Sequence, residues 1–212
     1  MVIFLLAVLP LADLDSPSFA KRSRARQQIM RTGTVDEIDT AFKDDLSCEQ
    51  RESLKWCRNR LRERWTQQQV ESLAKGNESR LPGWQDAKEI IGEDAEAREF
   101  YLWLWMNHRA EIERYYAAPI AERSGVAIGW SSKLSYYDHS EAALGCLFAC
   151  ISKQPYAVER CCFYLEYSGE GEVLYLPYSA VFQRIQSKLK ELQRYGTANR
   201  ISGHGIGVNS PQ

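Results

Sequence analysis

Histidine is scarce in this chain, neither charge sign is in useful excess, and no apolar run is long enough to cross a bilayer. Three histidines in 212 residues leave few ways to build a base-activated nucleophile. His108 falls on an apolar helical face, where a satisfied core role is expected. His139 stands between Asp138 and Ser140 at a helix start, where capping accounts for its neighbours, and His204 lies near the carboxyl end. No Gly-x-Ser-x-Gly elbow occurs, and no cysteine sits in a recognisable protease context. The 27 Lys and Arg nearly cancel the 28 Asp and Glu, so a net charge of −1 gives no global attraction to nucleic acid or an anionic membrane. The longest uncharged apolar stretch, Met1-Val-Ile-Phe-Leu-Leu-Ala-Val-Leu-Pro-Leu-Ala12, falls short of the roughly 20 residues a span requires.

That stretch does have the length of a signal-peptide core. Pro10 breaks it near its end, and Ala12 is a suitable small residue before a cut. The basic residues that normally precede such a core are missing, and the alternative is a buried first helix. Residues 1–12 are therefore expected to be a signal peptide and the protein to be exported or periplasmic, with a cytoplasmic protein as the alternative.

Six cysteines (Cys48, Cys57, Cys146, Cys150, Cys161, Cys162) permit 15 pairings, and the sequence selects none. Cys57 shares a helical stripe with Leu54 and Leu61 and reads as a small core residue. Cys146 and Cys150 lie one helical turn apart. With Cys161 and Cys162 they offer enough sulfur for zinc, but not on the short knuckle zinc normally uses. A disulfide within this group and a set of buried free thiols both stay open. No metal, cofactor or catalytic residue is assigned.

The readable architecture begins at Asp13. Ser16 can cap a helix with Pro17 at its first position, Gly33 can stop it, and Phe19, Ala25 and Ile29 share one face. Thr34 caps a second helix to about Asp45, with Glu37 completing a capping box and Val35, Ile38 and Phe42 as its apolar stripe. Ser47 starts a third, whose stripe is Leu54, Cys57, Leu61 and Trp65, continued by Val70 and Leu73. Connections of one to three residues impose antiparallel neighbours.

Charge alternates in blocks: basic over 21–31, acidic over 36–52, basic again over 55–64. Adjacent helices of opposite sign complement one another, although each exposed pair contributes only about 0–1 kcal/mol. The functional alternative is a nucleic-acid patch formed by Arg22, Arg24, Arg26, Arg58 and Arg62, beside an acidic helix that would repel phosphate.

The pattern Asp15, Ala20, Arg22, Ala25, Ile29, Gly33 resembles the first helix of a HEAT-like (armadillo-type) repeat over residues 13–65. That resemblance implies helix pairs stacking as an α-α solenoid, a repeat-packing role for Asp15, Arg22, Phe19, Ala25 and Ile29, and binding rather than catalysis. One unit and part of another are visible where about three usually close a core, so the later helices must cover the open face. Leu81-Pro-Gly-Trp84, Ile91-Gly-Glu-Asp94 and Ala97-Arg-Glu-Phe100 also resemble a segment of exported bacterial proteins bearing such a repeat, a group that implies no activity.

Beyond a turn-rich linker at 76–83, Asp94 caps and Pro119 ends a long helix over 94–118. Its Phe100-Tyr-Leu-Trp-Leu-Trp-Met106 portion is apolar on every side, which marks it as the central core helix. Residues 125–137 read as a loop containing Trp130, Tyr136 and Tyr137. Residues 140–152 read as a helix. The segment 156–167 is expected to be helical, with a small β-hairpin over 161–178 as the alternative. Val181, Phe182, Ile185, Leu189 and Leu192 predict a helix over 178–194, followed by a flexible tail over 196–212. Gly203-His-Gly-Ile-Gly207 has too little chain after it for the helix a phosphate loop needs.

The expectation is an all-α protein: residues 13–75 as a HEAT-like unit, residues 84–195 as a helical domain packed on it. It acts as a non-enzymatic protein-interaction or scaffold module that binds a protein partner, with Trp103, Trp105 and Trp130 as candidate anchors. The alternative is an intracellular nucleic-acid-binding module.

Overall fold

A computed structural model describes residues 9–134, 139–167 and 178–203. The start of the apolar run, the Tyr136-Tyr137 pair, Asp138, the second strand of the alternative hairpin up to residue 177, and His204 lie outside the described residues. Among those described, every regular element is a helix and no strand occurs. The protein is all-α. No helix among the described residues is long and apolar enough to cross a membrane.

The chain divides into two compact units after Gln69. The first contains α1 (Leu11–Leu14), α2 (Phe19–Thr32), α3 (Val35–Ala41) and most of α4 (Cys48–Ala74). Helix α2 begins at Phe19, two residues later than the Ser16-Pro17 signal suggested. The Ser16 hydroxyl accepts from the Ser18 amide at 3.3 Å, and the Arg22 guanidinium donates to the Ser16 and Pro17 carbonyls at 2.7 and 3.2 Å. Those bonds hold residues 16–18 in a turn. The Thr34–Glu37 capping box forms as expected. Helix α3 nevertheless stops at Ala41, where the Lys43 and Asp44 amides turn back to the Thr40 and Ala41 carbonyls. Ser47 and Gln50 make a second reciprocal cap at the start of α4.

Side-chain contacts set the helix directions in this unit. Arg26 meets Glu49 and Ser53, and Arg64 meets the Met30 carbonyl, so α2 and α4 run side by side in parallel. Asp39 meets Arg58 and Arg62 while Phe42 lies under Arg58, so α3 runs antiparallel to α4. The small core is Leu14, Ala25, Ile29, Ile38, Ala41, Leu54 and Cys57, with Leu9 and Leu11 packed against it. Trp65, placed in the buried stripe by its spacing, stands exposed instead.

The second unit contains the end of α4, then α5 (Trp84–Ile91), α6 (Ala95–Ala117), α7 (Ile120–Ser131), α8 (His139–Ser152), α9 (Pro155–Tyr167) and α10 (Ser179–Gly203). Its central rod is α8, not α6. Every residue from Ala142 to Cys150 is buried, and α8 packs against α5, α6, α7, α9 and α10. Helix α6 keeps an open side, where Met106 is 75 % exposed. Small residues decide the difference. Ala142, Ala143, Gly145 and Ala149 let neighbours approach α8 closely, and a Cβ on Gly145 would lie 3.0 Å from Leu134 and 3.6 Å from the Trp130 carbonyl oxygen.

Two further expectations are corrected, and at 161–167 the expected helix prevails over the alternative hairpin. Residues 120–131 are a helix, although Gly125 and Gly129 read as loop. Ala127 and Ser131 bury one side of it, and Arg123 ties its start to the Tyr116 and Ala118 carbonyls at 3.0 and 3.2 Å. Tertiary packing overrides a propensity cost of roughly 1 kcal/mol per glycine. Residues 161–167 belong to α9, which removes the first strand of the hairpin; the Gln154 side chain caps that helix by accepting from the Tyr156 and Ala157 amides. Helix α10 continues through Gly196 to Gly203, where a flexible tail was expected.

Candidate functional site

A groove lies on the surface of the first unit, between α2 and α4. It is an open groove of about 480 Å³ lined by Phe19, Ser23, Arg26, Gln27, Met30 and Arg31 from α2, and by Trp56 and Arg64 from α4. Phe19 is 73 % exposed and Trp56 48 % exposed, both high for rings of that size. Every ionisable residue in the lining is an arginine.

The arginines are not equivalent. Arg26 is committed within the protein: it donates to the Ser53 hydroxyl at 2.8 Å and pairs with Glu49 at 3.3 Å. Arg64 donates one nitrogen to the Met30 carbonyl at 2.9 Å and pairs with no acid among the described residues. Arg31, in the last turn of α2, makes no ion pair among the described residues. Two guanidiniums at the carboxyl end of α2 therefore keep uncompensated charge facing a groove with aromatic walls.

The residues proposed for repeat packing separate into two sets. Ala25 and Ile29 are buried in the small core. Arg22 is half-buried and bridges to Glu49 of α4 at 3.5 Å, tying α2 to its parallel neighbour. Asp15 is exposed, and Phe19, in the first turn of α2, projects outward with Arg22 over its ring at 6.0 Å. At about 100° per residue Phe19 lies about 120° around the helix from Ala25 and about 80° from Ile29, to one side of the buried stripe.

The basic positions of the nucleic-acid alternative are largely neutralised. Arg22 and Arg26 share Glu49, while Arg58 and Arg62 share Asp39 at 2.6 and 3.8 Å. Arg24 remains exposed.

The three tryptophans expected as partner anchors are engaged within the second unit. Trp105 is buried on α6. Trp103 is half-buried against Phe100 and Tyr178, at ring separations of 5.8 and 5.9 Å. Trp130 sits edge-on to Phe148 and His108. The exposed indoles are Trp56 and Trp65 of α4. Trp56 was detectable in the sequence as a bulky apolar residue out of register with Leu54, Cys57 and Leu61.

Two other clusters carry titratable chemistry. His108 is buried where α6 kinks (φ −133°, ψ 31°), and its Nε2 meets the Ser140 hydroxyl of α8 at 2.7 Å. The contact joins two helices and satisfies a buried ring, as a core histidine should be satisfied. Cys146, Cys150, Cys161 and Cys162 gather where α8 meets α9, all buried and all free thiols. A hydrogen bond with Cys161, reinforced by burial, pushes the Cys146 thiol well above its ordinary value, and burial, aided by the neighbouring Cys161 and Cys162, pushes Cys150 upward. Cys146 and Cys150 are therefore protonated, inert sulfurs at neutral pH. No group of three or more His, Cys, Asp or Glu among the described residues is placed to hold a metal ion.

Comparison of the chain with protein-family models, curated proteins and solved structures gives no match. The groove must be interpreted from its own chemistry.

Proposed function

We propose that this protein is a non-enzymatic helical interaction module whose working surface is the α2–α4 groove. One observation carries the reading: Phe19 and Trp56 are exposed at the same groove that presents the uncompensated Arg31 and Arg64. Aromatic residues and arginine dominate binding energy at protein interfaces, and stable folding gains nothing from leaving them in water together. The parallel α2–α4 pair with α3 antiparallel is the local geometry a HEAT-like repeat requires, which supports the repeat reading for the first unit.

The module is taken to be exported, with the chain from Leu9 onward retained. A cut after Ala12 would remove Leu9 and Leu11 from the small core, together with the Leu11 carbonyl that accepts from Gln50 at 3.0 Å. Intact mass of the protein from its own cells should place the amino terminus at or before Leu9.

The functional test is capture from cell-envelope extract by immobilised protein, compared with the Phe19→Ala/Trp56→Ala double variant. Both positions are exposed, so the variant should keep its helical circular dichroism and lose the captured species. No capture, or capture indifferent to the two substitutions, would overturn the reading.

A further inference from the structure

We propose that the groove accepts a short acidic peptide segment, with an apolar side chain against Phe19 and Trp56 and a pair of carboxylates on Arg31 and Arg64. This rests on the interaction reading above and names the chemistry of the partner.

The groove is polar along its length. Phe19 opens α2 and Arg31 lies in its last turn, twelve residues on, which is about 18 Å at the α-helical rise. Trp56 sits midway: its neighbour Cys57 reaches the Arg26 carbonyl of α2. Arg64 bonds the Met30 carbonyl and so joins Arg31 at the carboxyl end of α2. An occupant must therefore be apolar at one end and anionic at the other, over a distance that about five extended residues span. Arginine binds carboxylate as a planar fork, and two such forks with no acid between them suit two adjacent acidic side chains.

The surroundings argue against a polyanion. Asp36, Asp39, Asp44, Glu49 and Glu52 belong to the same unit, and Arg22, Arg26, Arg58 and Arg62 are already paired with two of these acids. Arg26 being paired with Glu49, the groove offers Arg31 and Arg64 as its unpaired cations among the described residues, enough for two carboxylates but few for a continuous phosphate backbone. An open groove also leaves much of a small molecule in water, while a peptide can extend beyond it.

The test uses the full chain and an amino-terminally fluorescein-labelled, carboxyl-amidated peptide, Phe-Ser-Leu-Asp-Glu. Amidation removes the terminal carboxylate, so binding must come from the side chains. Saturable anisotropy is expected, weakened about tenfold or more by Arg31→Glu or by changing the probe to Phe-Ser-Leu-Asn-Gln. Arg24→Glu, on the same helix outside the groove, should change affinity less than about twofold. Arg31 and Arg24 are both exposed, so neither variant should unfold. Equal losses from Arg24→Glu and Arg31→Glu would overturn the proposal, as would no saturable binding. So would tighter, Arg31-dependent binding of a single-stranded oligonucleotide or of phosphatidylserine vesicles. Peptide failure while groove-dependent capture persists would remove the acidic peptide and leave the interaction reading standing.

Discussion

Arg184 of α10 holds the Asp94 carboxylate at 2.6 Å across 90 residues of sequence and also donates to the Ile91 carbonyl. One guanidinium thereby closes the end of α5 and the start of α6, where Asp94 additionally caps the Ala97 amide at 2.9 Å. Gly92 makes room for it. Its φ of +88° favours glycine, and an added Cβ, 2.8 Å from the Arg184 guanidinium, would push that side chain aside.

The Arg184 hydrogen bond, then the Ala97 amide, hold the Asp94 carboxyl below its ordinary value of 3.8. A depressed folded-state pKa stabilises in full above 3.8, and that contribution is lost as pH falls through the lowered value. Asp94→Asn keeps a competent cap but removes the charge. It should lower the urea midpoint at neutral pH, and the gap from wild type should close in acid below the ordinary carboxylate range. A gap that stays constant with pH would remove the Arg184 pairing as its cause.

Gly83 and Gly125 should respond to alanine in opposite directions. At Gly83, φ is +83° and a Cβ would lie 2.8 Å from Cζ of Tyr116, closer still to Cε2 of the same ring, and 2.9 Å from the Tyr101 hydroxyl. Left-handed backbone and overpacking together predict a loss of about 2–5 kcal/mol for Gly83→Ala. At Gly125 nothing lies within 4 Å and the backbone is helical, so Gly125→Ala should stabilise by up to about 1 kcal/mol. Chemical denaturation of the two variants decides both, and an unchanged or lower midpoint for Gly125→Ala would contradict the helix over 120–131.

Ile29 and Phe19 separate core from groove on one helix. Ile29→Ala removes a fully buried side chain from a core of few large residues and should cost about 2–5 kcal/mol. Phe19→Ala should fall within about 0.5 kcal/mol of wild type. A comparable cost at both positions would return Phe19 to the core.

Helix identity was legible in the sequence wherever apolar spacing and a cap agreed. Thr34 with Glu37, Asp94 with Ala97, and the Val181–Leu189 stripe all formed as their patterns indicate. What the sequence obscured depended on neighbours distant along the chain. Gly125 and Gly129 look like loop formers until Arg123 and the buried Ala127 fix that segment as helix. The aromatic richness of α6 drew attention from α8, whose small residues make it the packing centre. Phe19 and Trp56 are individually visible as aromatic residues, but the groove they share exists only once α4 returns alongside α2. The pairing of Arg22, Arg26, Arg58 and Arg62, and hence the isolation of Arg31 and Arg64, is likewise a product of folding.

The cysteines should divide sharply by reactivity. Cys48 is exposed, whereas the other five are buried. Burial pushes the Cys162 thiol up to about 11, so its thiolate fraction in mildly alkaline buffer is about a hundredfold below that of a thiol at 9.0. Cys146 and Cys150 are held still more firmly protonated, and the Cys57 thiol is raised by burial despite the nearby Arg26. Brief iodoacetamide treatment of the native protein should therefore add one carbamidomethyl group, on Cys48, and treatment in denaturant without reductant should add six. Intact mass followed by peptide mapping reads both numbers. Only four additions in denaturant would establish one disulfide, and mapping it to Cys146 or Cys150 with Cys161 or Cys162 would mean that α8 and α9 meet through a covalent bridge. Rapid native labelling at Cys161 or Cys162 would instead mean that α9 opens from α8 far more readily than its packing allows.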